Sequence, residues 1–174
     1  MLAQNKQNEE FMDFFLKIFE NHILIASTFS WLICQVLKFI LTAIVEKKWR
    51  FERLVGDGGM PSGHSATVSA MMVMTGYCCG LDSASFAIAT LLAIIVMHDA
   101  TGVRREAGKH AVTILQIIDA FNEVVSEKDK LAQQEKLKVF VGHTPVQVFF
   151  GAVTGILTSV IYILVFHVAG IFPI

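Results

Sequence analysis

Four long apolar stretches alternate with charged segments along this chain, and their lengths predict its elements. Residues 23–45 are interrupted mainly by Gln35 and Lys38 and are long enough to cross a bilayer as a helix. Residues 66–81, rich in Met, Ala, Ser and Thr, and residues 84–97 are shorter. The Gly80-Leu81-Asp82-Ser83 run between them reads as a tight turn, so the pair predicts an αα-hairpin inside a bundle. Residues 146–169 form the last stretch and carry Gly151 and Gly155, a Gly-xxx-Gly spacing that permits close helix approach. Ahead of the first stretch, Phe11, Phe14, Phe15, Ile18 and Phe19 fall on one helical face. That face predicts an interfacial segment over residues 1–21.

Between the third and fourth stretches, residues 107–124 hold Ala111, Ile114, Leu115, Ile118 and Phe121 at helical spacing. Alternating Lys and Glu over residues 126–140 predict a second, solvated helix. Residues 100–142 therefore read as a helical surface loop rather than a linker. The expected fold is all-α: a polytopic membrane helical bundle with about four transmembrane helices plus interfacial helices, forming a single domain over residues 1–174.

Composition agrees with a bilayer. The chain is 54% hydrophobic and 17% charged, with a mean hydropathy of +0.59, unusual for a soluble domain. A net charge of −1 leaves no nucleic-acid footprint. Cys34, Cys78 and Cys79 lie in apolar runs without ligand spacing and read as packing residues. Residues 5–10 are polar and acidic, so no cleavable signal peptide is expected to open the chain. Most of the Lys and Arg fall in residues 46–60 (Lys47, Lys48, Arg50, Arg53) and 100–142 (Arg104, Arg105, Lys109, Lys128, Lys130, Lys136, Lys138). Alternating spans put both loops on one side, which the positive-inside rule makes cytosolic.

Three clusters carry candidate chemistry. In Met60-Pro61-Ser62-Gly63-His64-Ser65 the proline predicts a helix start, with the N–H groups of Ser62, Gly63 and His64 pointing out along the positive dipole. Such an end suits an anion, and His64 can supply a proton. The alternative is a capped helix with an incidental histidine. His98-Asp99-Ala100-Thr101-Gly102-Val103-Arg104-Arg105 places ionisable groups where a span leaves the bilayer. Their cost there points to a site, and the Arg104-Arg105 pair suits phosphate oxygens. The alternative is a flank of interfacial cations. In Gly142-His143-Thr144-Pro145-Val146-Gln147, Gln147 stands one turn after His143. It can hydrogen-bond one imidazole nitrogen and leave the other as a nucleophile; alone, the run better suits an interfacial helix cap.

Together the clusters resemble the type-2 phosphatidic acid phosphatase and vanadium haloperoxidase superfamily. Pro61-Ser62-Gly63-His64 is similar to its central signature, and the run from His143 to Gly151 to the end of its third motif. The order Gly-Gly-Met-Pro-Ser, Asp-Ala-x-Gly-Val-Arg-Arg, Gly-His-Thr-Pro looks most like the divergent branch of small bacterial and plant membrane forms. The resemblance implies a metal-independent phosphatase, without cofactor, acting on a lipid-linked phosphate in the bacterial inner membrane. It makes His143 the nucleophile, forming a phosphohistidine, and His64 the general acid. Ser62 and Gly63 would cradle the phosphate, with Arg104 and Arg105 neutralising its charge.

The chain departs from the superfamily pattern at three points. The first motif, Lys-x6-Arg-Pro, is absent; Lys38 is the expected phosphate-binding lysine, because a lysine deep in an apolar helix needs an anion, with Arg53 as companion. The Ser-Arg expected upstream of the nucleophile is missing, with Leu137 at the arginine's place, and Arg104-Arg105 would replace it. Gln147 stands where an aspartate usually orients the histidine, a role Asp99 would otherwise fill. The rival expectation is an inactive phospholipid-binding or scaffold protein that keeps the anion pocket. A metal site from His98, Asp99, His110 and His143, and a transporter, rank below it. Expected partners are the lipid phosphate and membrane lipids; Gly151 and Gly155 suit either a homodimer or internal packing.

Overall fold

The computed structural model describes residues 11–12, 16–47, 59–124 and 143–170. Five long helices run through them: α1 (His22–Glu46), α2 (Gly63–Cys79), α3 (Ala84–Thr101), α4 (Val103–Val124) and α5 (Pro145–Val168). Among the described residues there is no strand. Each boundary has a local cause. Asn21 caps α1, its side chain accepting from the Leu24 N–H at 3.1 Å. Ser83 does the same for α3 through the Phe86 N–H. Gly80, at φ +91°, takes the left-handed turn that sends α3 back along α2, and the expected hairpin is there. Residues 11–12 and 16–19 are helical, with Phe11 and Phe19 exposed. Phe14, Phe15 and the charged helix expected over 126–140 lie outside the described residues.

α2 is the centre of the bundle, packed against α1, α3 and α5. It can be central because its buried positions are mostly small: Gly63, Ser65, Ala66, Ser69, Ala70, Thr75 and Gly76, with Met74. α5 runs parallel to it. A Cβ at Gly151 would overlap the Ser62 carbonyl, and one at Gly155 the Ala66 carbonyl; further along, the Ser159 hydroxyl donates to the Ala70 carbonyl at 3.3 Å. The Gly-xxx-Gly spacing is thus occupied by an internal helix pair. α1 runs antiparallel to α2, with the Ser30 hydroxyl on the Ala66 carbonyl (3.3 Å) and the Cys34 thiol on the Pro61 carbonyl (3.4 Å).

Among the described residues, three helices are long and apolar enough to cross a membrane: α1, α5, and α3 continuing into α4 over Ala84–Phe121. With 17 residues, α2 is shorter than a lipid-exposed span and is enclosed by its neighbours instead. The protein is an all-α membrane bundle, as expected, and its described residues place long apolar helices around the short α2. α4 touches only α3 among these elements. It leaves Val112, Ile114, Ile117 and Phe121 exposed, and on its first turns Lys109 bonds Glu106 at 2.6 Å.

Candidate active site

The antiparallel and parallel packing just described brings the last third of α1, the start of α2, the end of α3 and the start of α5 to one end of the bundle. Several of the residues buried there are polar. Lys38 is 1% exposed, Ser62 0% and His143 7%. Burying ionisable groups in a membrane bundle is costly, so their convergence marks a site.

The sequence 59–65 builds the floor. Pro61 stands before the cap rather than in the first turn as expected; α2 begins at Gly63 with Ser62 as N-cap. The Ser62 hydroxyl accepts from the Ser65 N–H (3.4 Å) and the Ser65 hydroxyl (3.0 Å). Its own N–H donates to the Gln147 carbonyl at 3.0 Å, tying the floor to α5. The Ser62 N–H therefore does not point outward for an anion, as the sequence had suggested. Gly63 and His64 keep the outward first-turn position, where helix N–H groups have no intrahelical partner. At Gly59 the backbone has φ +101°, and a Cβ there would press on the Lys38 stem, 3.3 Å from Cγ. Glycine is what lets the lysine pass beneath. At Gly63 a Cβ would meet the Trp31 ring at 3.2 Å.

His143 enters from the α5 side, and hydrogen-bond roles fix its tautomer. α5 opens on a capping box: the Gln147 N–H donates to the Thr144 hydroxyl (3.3 Å), and the Thr144 N–H donates to Gln147 Oε1 (3.0 Å). A backbone N–H can only donate, so the amide atom it meets is the oxygen. The same Oε1 lies 3.2 Å from His143 Nδ1. Two acceptors cannot share a hydrogen bond, so Nδ1 carries a proton, and in the neutral ring the lone pair lies on Nε2. The His64 and His143 rings face each other with centroids 6.4 Å apart and planes tilted by 57°; His64 is exposed where His143 is buried.

The remaining expected residues are placed less closely. Asp99 is half-buried on the last turn of α3 and Arg105 half-buried at the start of α4, at the same end of the bundle. Arg104 lies between Val103 and Arg105 on α4, and Arg53 falls outside the described residues. Among the described residues no group of three His, Cys, Asp or Glu is placed to hold a metal ion. Two residues of this region were passed over in the sequence. Cys34, read as packing, is fully buried on the Pro61 carbonyl. Gln35, read as an interruption of the span, is buried on the same side of α1 as Lys38. Their spacing was the available signal: Trp31, Cys34, Gln35 and Lys38 stand at i, i+3, i+4 and i+7, one helical face.

Comparison with known proteins bears on the whole region. A family model described as the Divergent PAP2 family matches residues 19–158, from before α1 to within α5. The chain is 41% identical over 152 residues to the protein of Bacillus subtilis (strain 168) named "Uncharacterized membrane protein YuiD", covering 84% of this chain and 96% of that one. No solved structure matches.

Proposed function

The chain belongs to the divergent PAP2 family, and on that premise we propose that it is a metal-independent phosphatase acting on a lipid-linked phosphate through a phosphohistidine. The observation that carries this reading is the His143 Nδ1–H held on Gln147 Oε1, with a second histidine ring facing the imidazole.

In this reading the phosphoryl group sits between the two rings. Lys38 and the first-turn N–H groups of Gly63 and His64 bind its oxygens, and the positive end of α2 favours their charge. His143 Nε2 attacks phosphorus, the bond from phosphorus to the leaving oxygen breaks, and protonated His64 gives that oxygen its proton. Water then attacks the phosphohistidine, His64 takes back a proton, and phosphate leaves. Gln147 Oε1 holds the Nδ1 proton throughout, the orienting role that a carboxylate has in the wider superfamily. Ser62 serves as the cap that shapes the cradle, and Arg104, Arg105 and Arg53 supply further positive charge as it builds in the transition state. Asp99 balances these cations from α3. The site lies at the membrane surface, so the headgroup reaches the cations while the apolar chains stay in lipid. We place that surface on the cytosolic side of a bacterial inner membrane, following the Lys and Arg of the loops.

The test is phosphate release by the purified, EDTA-treated protein from a panel of lipid phosphates in detergent, with and without vanadate. Vanadate-sensitive release from at least one lipid is expected. Saturable binding with no release from any of them would replace the phosphatase by a phospholipid-binding protein that keeps the pocket.

A further inference from the structure

Gln35 takes no part in the chemistry above, yet it stands on the wall of α1 that forms the site. The face Trp31, Cys34, Gln35, Lys38 packs on residues 59–63: the Trp31 ring on Gly63, the Cys34 thiol on the Pro61 carbonyl, the Lys38 stem under Gly59. Gln35 is 5% exposed, and its Oε1 is buried with no hydrogen-bond partner among the described residues. A buried amide oxygen left without a donor is destabilising, and such groups are rare in native proteins. Here the orphan acceptor lies one helical turn from a buried lysine, in the wall of an anion site.

An amide oxygen accepts hydrogen bonds and donates none. It repels a fully ionised oxyanion but welcomes one that carries a hydroxyl. Inorganic phosphate keeps such a hydroxyl through neutral pH, and a phosphate monoester keeps one at and below its second pKa of about 6. Sulfate has the same tetrahedral shape and no proton. Lys38, the histidines and the first-turn N–H groups attract both ions, and only a fixed acceptor tells them apart. We propose that Gln35 is a specificity-determining residue whose Oε1 accepts the P–OH hydrogen of the bound phosphoryl group, so that the site selects protonated phosphate over sulfate. The inference rests on the phosphate-site reading and adds to it the protonation state of the ligand. The same P–OH is offered by a lipid headgroup and by free phosphate.

The experiment measures binding of inorganic phosphate, a short-chain phosphatidic acid and sulfate to the full-length detergent-solubilised protein at about pH 6, for the wild type, Gln35→Leu and Gln35→Met. The wild type is expected to favour at least one phosphate over sulfate by about tenfold. Whichever phosphate is favoured names the source. In both variants the ratio should fall towards one while the ligand-free melting temperature stays level or rises, because an unpaired buried amide has been removed. An unchanged ratio in the variants, with or without a lower melting temperature, overturns the role given to Gln35 and leaves the anion site standing. A wild type that binds none of the three overturns the phosphate-site reading itself.

Discussion

Where α1 begins, the residues buried between the helices are Ala26, Met74 and Tyr162, with Ile23, Ile25, Ile163 and Phe166 packed around them. Where it ends they are Gln35, Lys38, Ser62 and His143. The same helices build both ends. At the first, Tyr162 stacks on Phe166 with ring centroids 4.3 Å apart, and its hydroxyl lies 2.9 Å from His22 Nδ1; polar atoms there are few and satisfied. At the second, buried charge and an orphan amide are held in a cradle whose glycines leave room for them. Apolar packing offsets the entropy of ordering the chain, whereas buried lysine and histidine do the opposite. The difference between the ends teaches which one stabilises the fold and which one the proposed chemistry would use.

Substitutions at the two ends should separate those roles. His143→Ala removes the nucleophile and is expected to lower phosphate release by at least about 10³-fold, with little change in thermal melting. Release that survives would detach the histidine pair from the chemistry. Lys38→Met replaces a buried cation by an apolar chain of similar length. Its expected loss is about 10²–10³-fold in kcat/KM; full specific activity in the folded variant would make Lys38 a structural residue.

Gln147 sharpens the comparison within the site. Gln147→Leu removes both the capping-box acceptor and the oxygen that fixes the tautomer, and should cost about tenfold to a hundredfold in kcat with a modest fall in stability. Gln147→Glu keeps both acceptors, and activity closer to wild type than that of the leucine variant is the outcome that supports the orienting role. The smallest effect belongs to the far end. Tyr162→Phe should lower stability by about 1 kcal/mol and leave the activity of the folded protein unchanged. A fall in kcat would mean that the two ends are coupled.

Much of this division was legible in the chain. The αα-hairpin followed from Gly80 and the apolar runs around it, and the three clusters were visible as short motifs. Gly151 and Gly155 announced a close helix contact, though spacing alone could not say whether the partner was internal. What the chain hid was depth. α2 looks like a short span in sequence; only the packing shows that its small residues make it the centre of the bundle. Pro61 suggested a helix start two residues early, because Ser62 and Pro61 are both good first-turn signals and the serine prevailed as cap. Gln35 was read as an interruption of the span because its burial comes from the packing of α1 against α2 and α5, which no local pattern records.

The central claim is that His143 Nε2 takes the phosphoryl group, and trapping the intermediate tests it most directly. Protein mixed with a radiolabelled lipid phosphate and quenched within the first turnover is predicted to carry label in an acid-labile, alkali-stable bond. Peptide mapping should place that bond on His143, and His143→Ala should carry none. Label-free protein that nonetheless releases phosphate, or label on any other residue, would contradict the account.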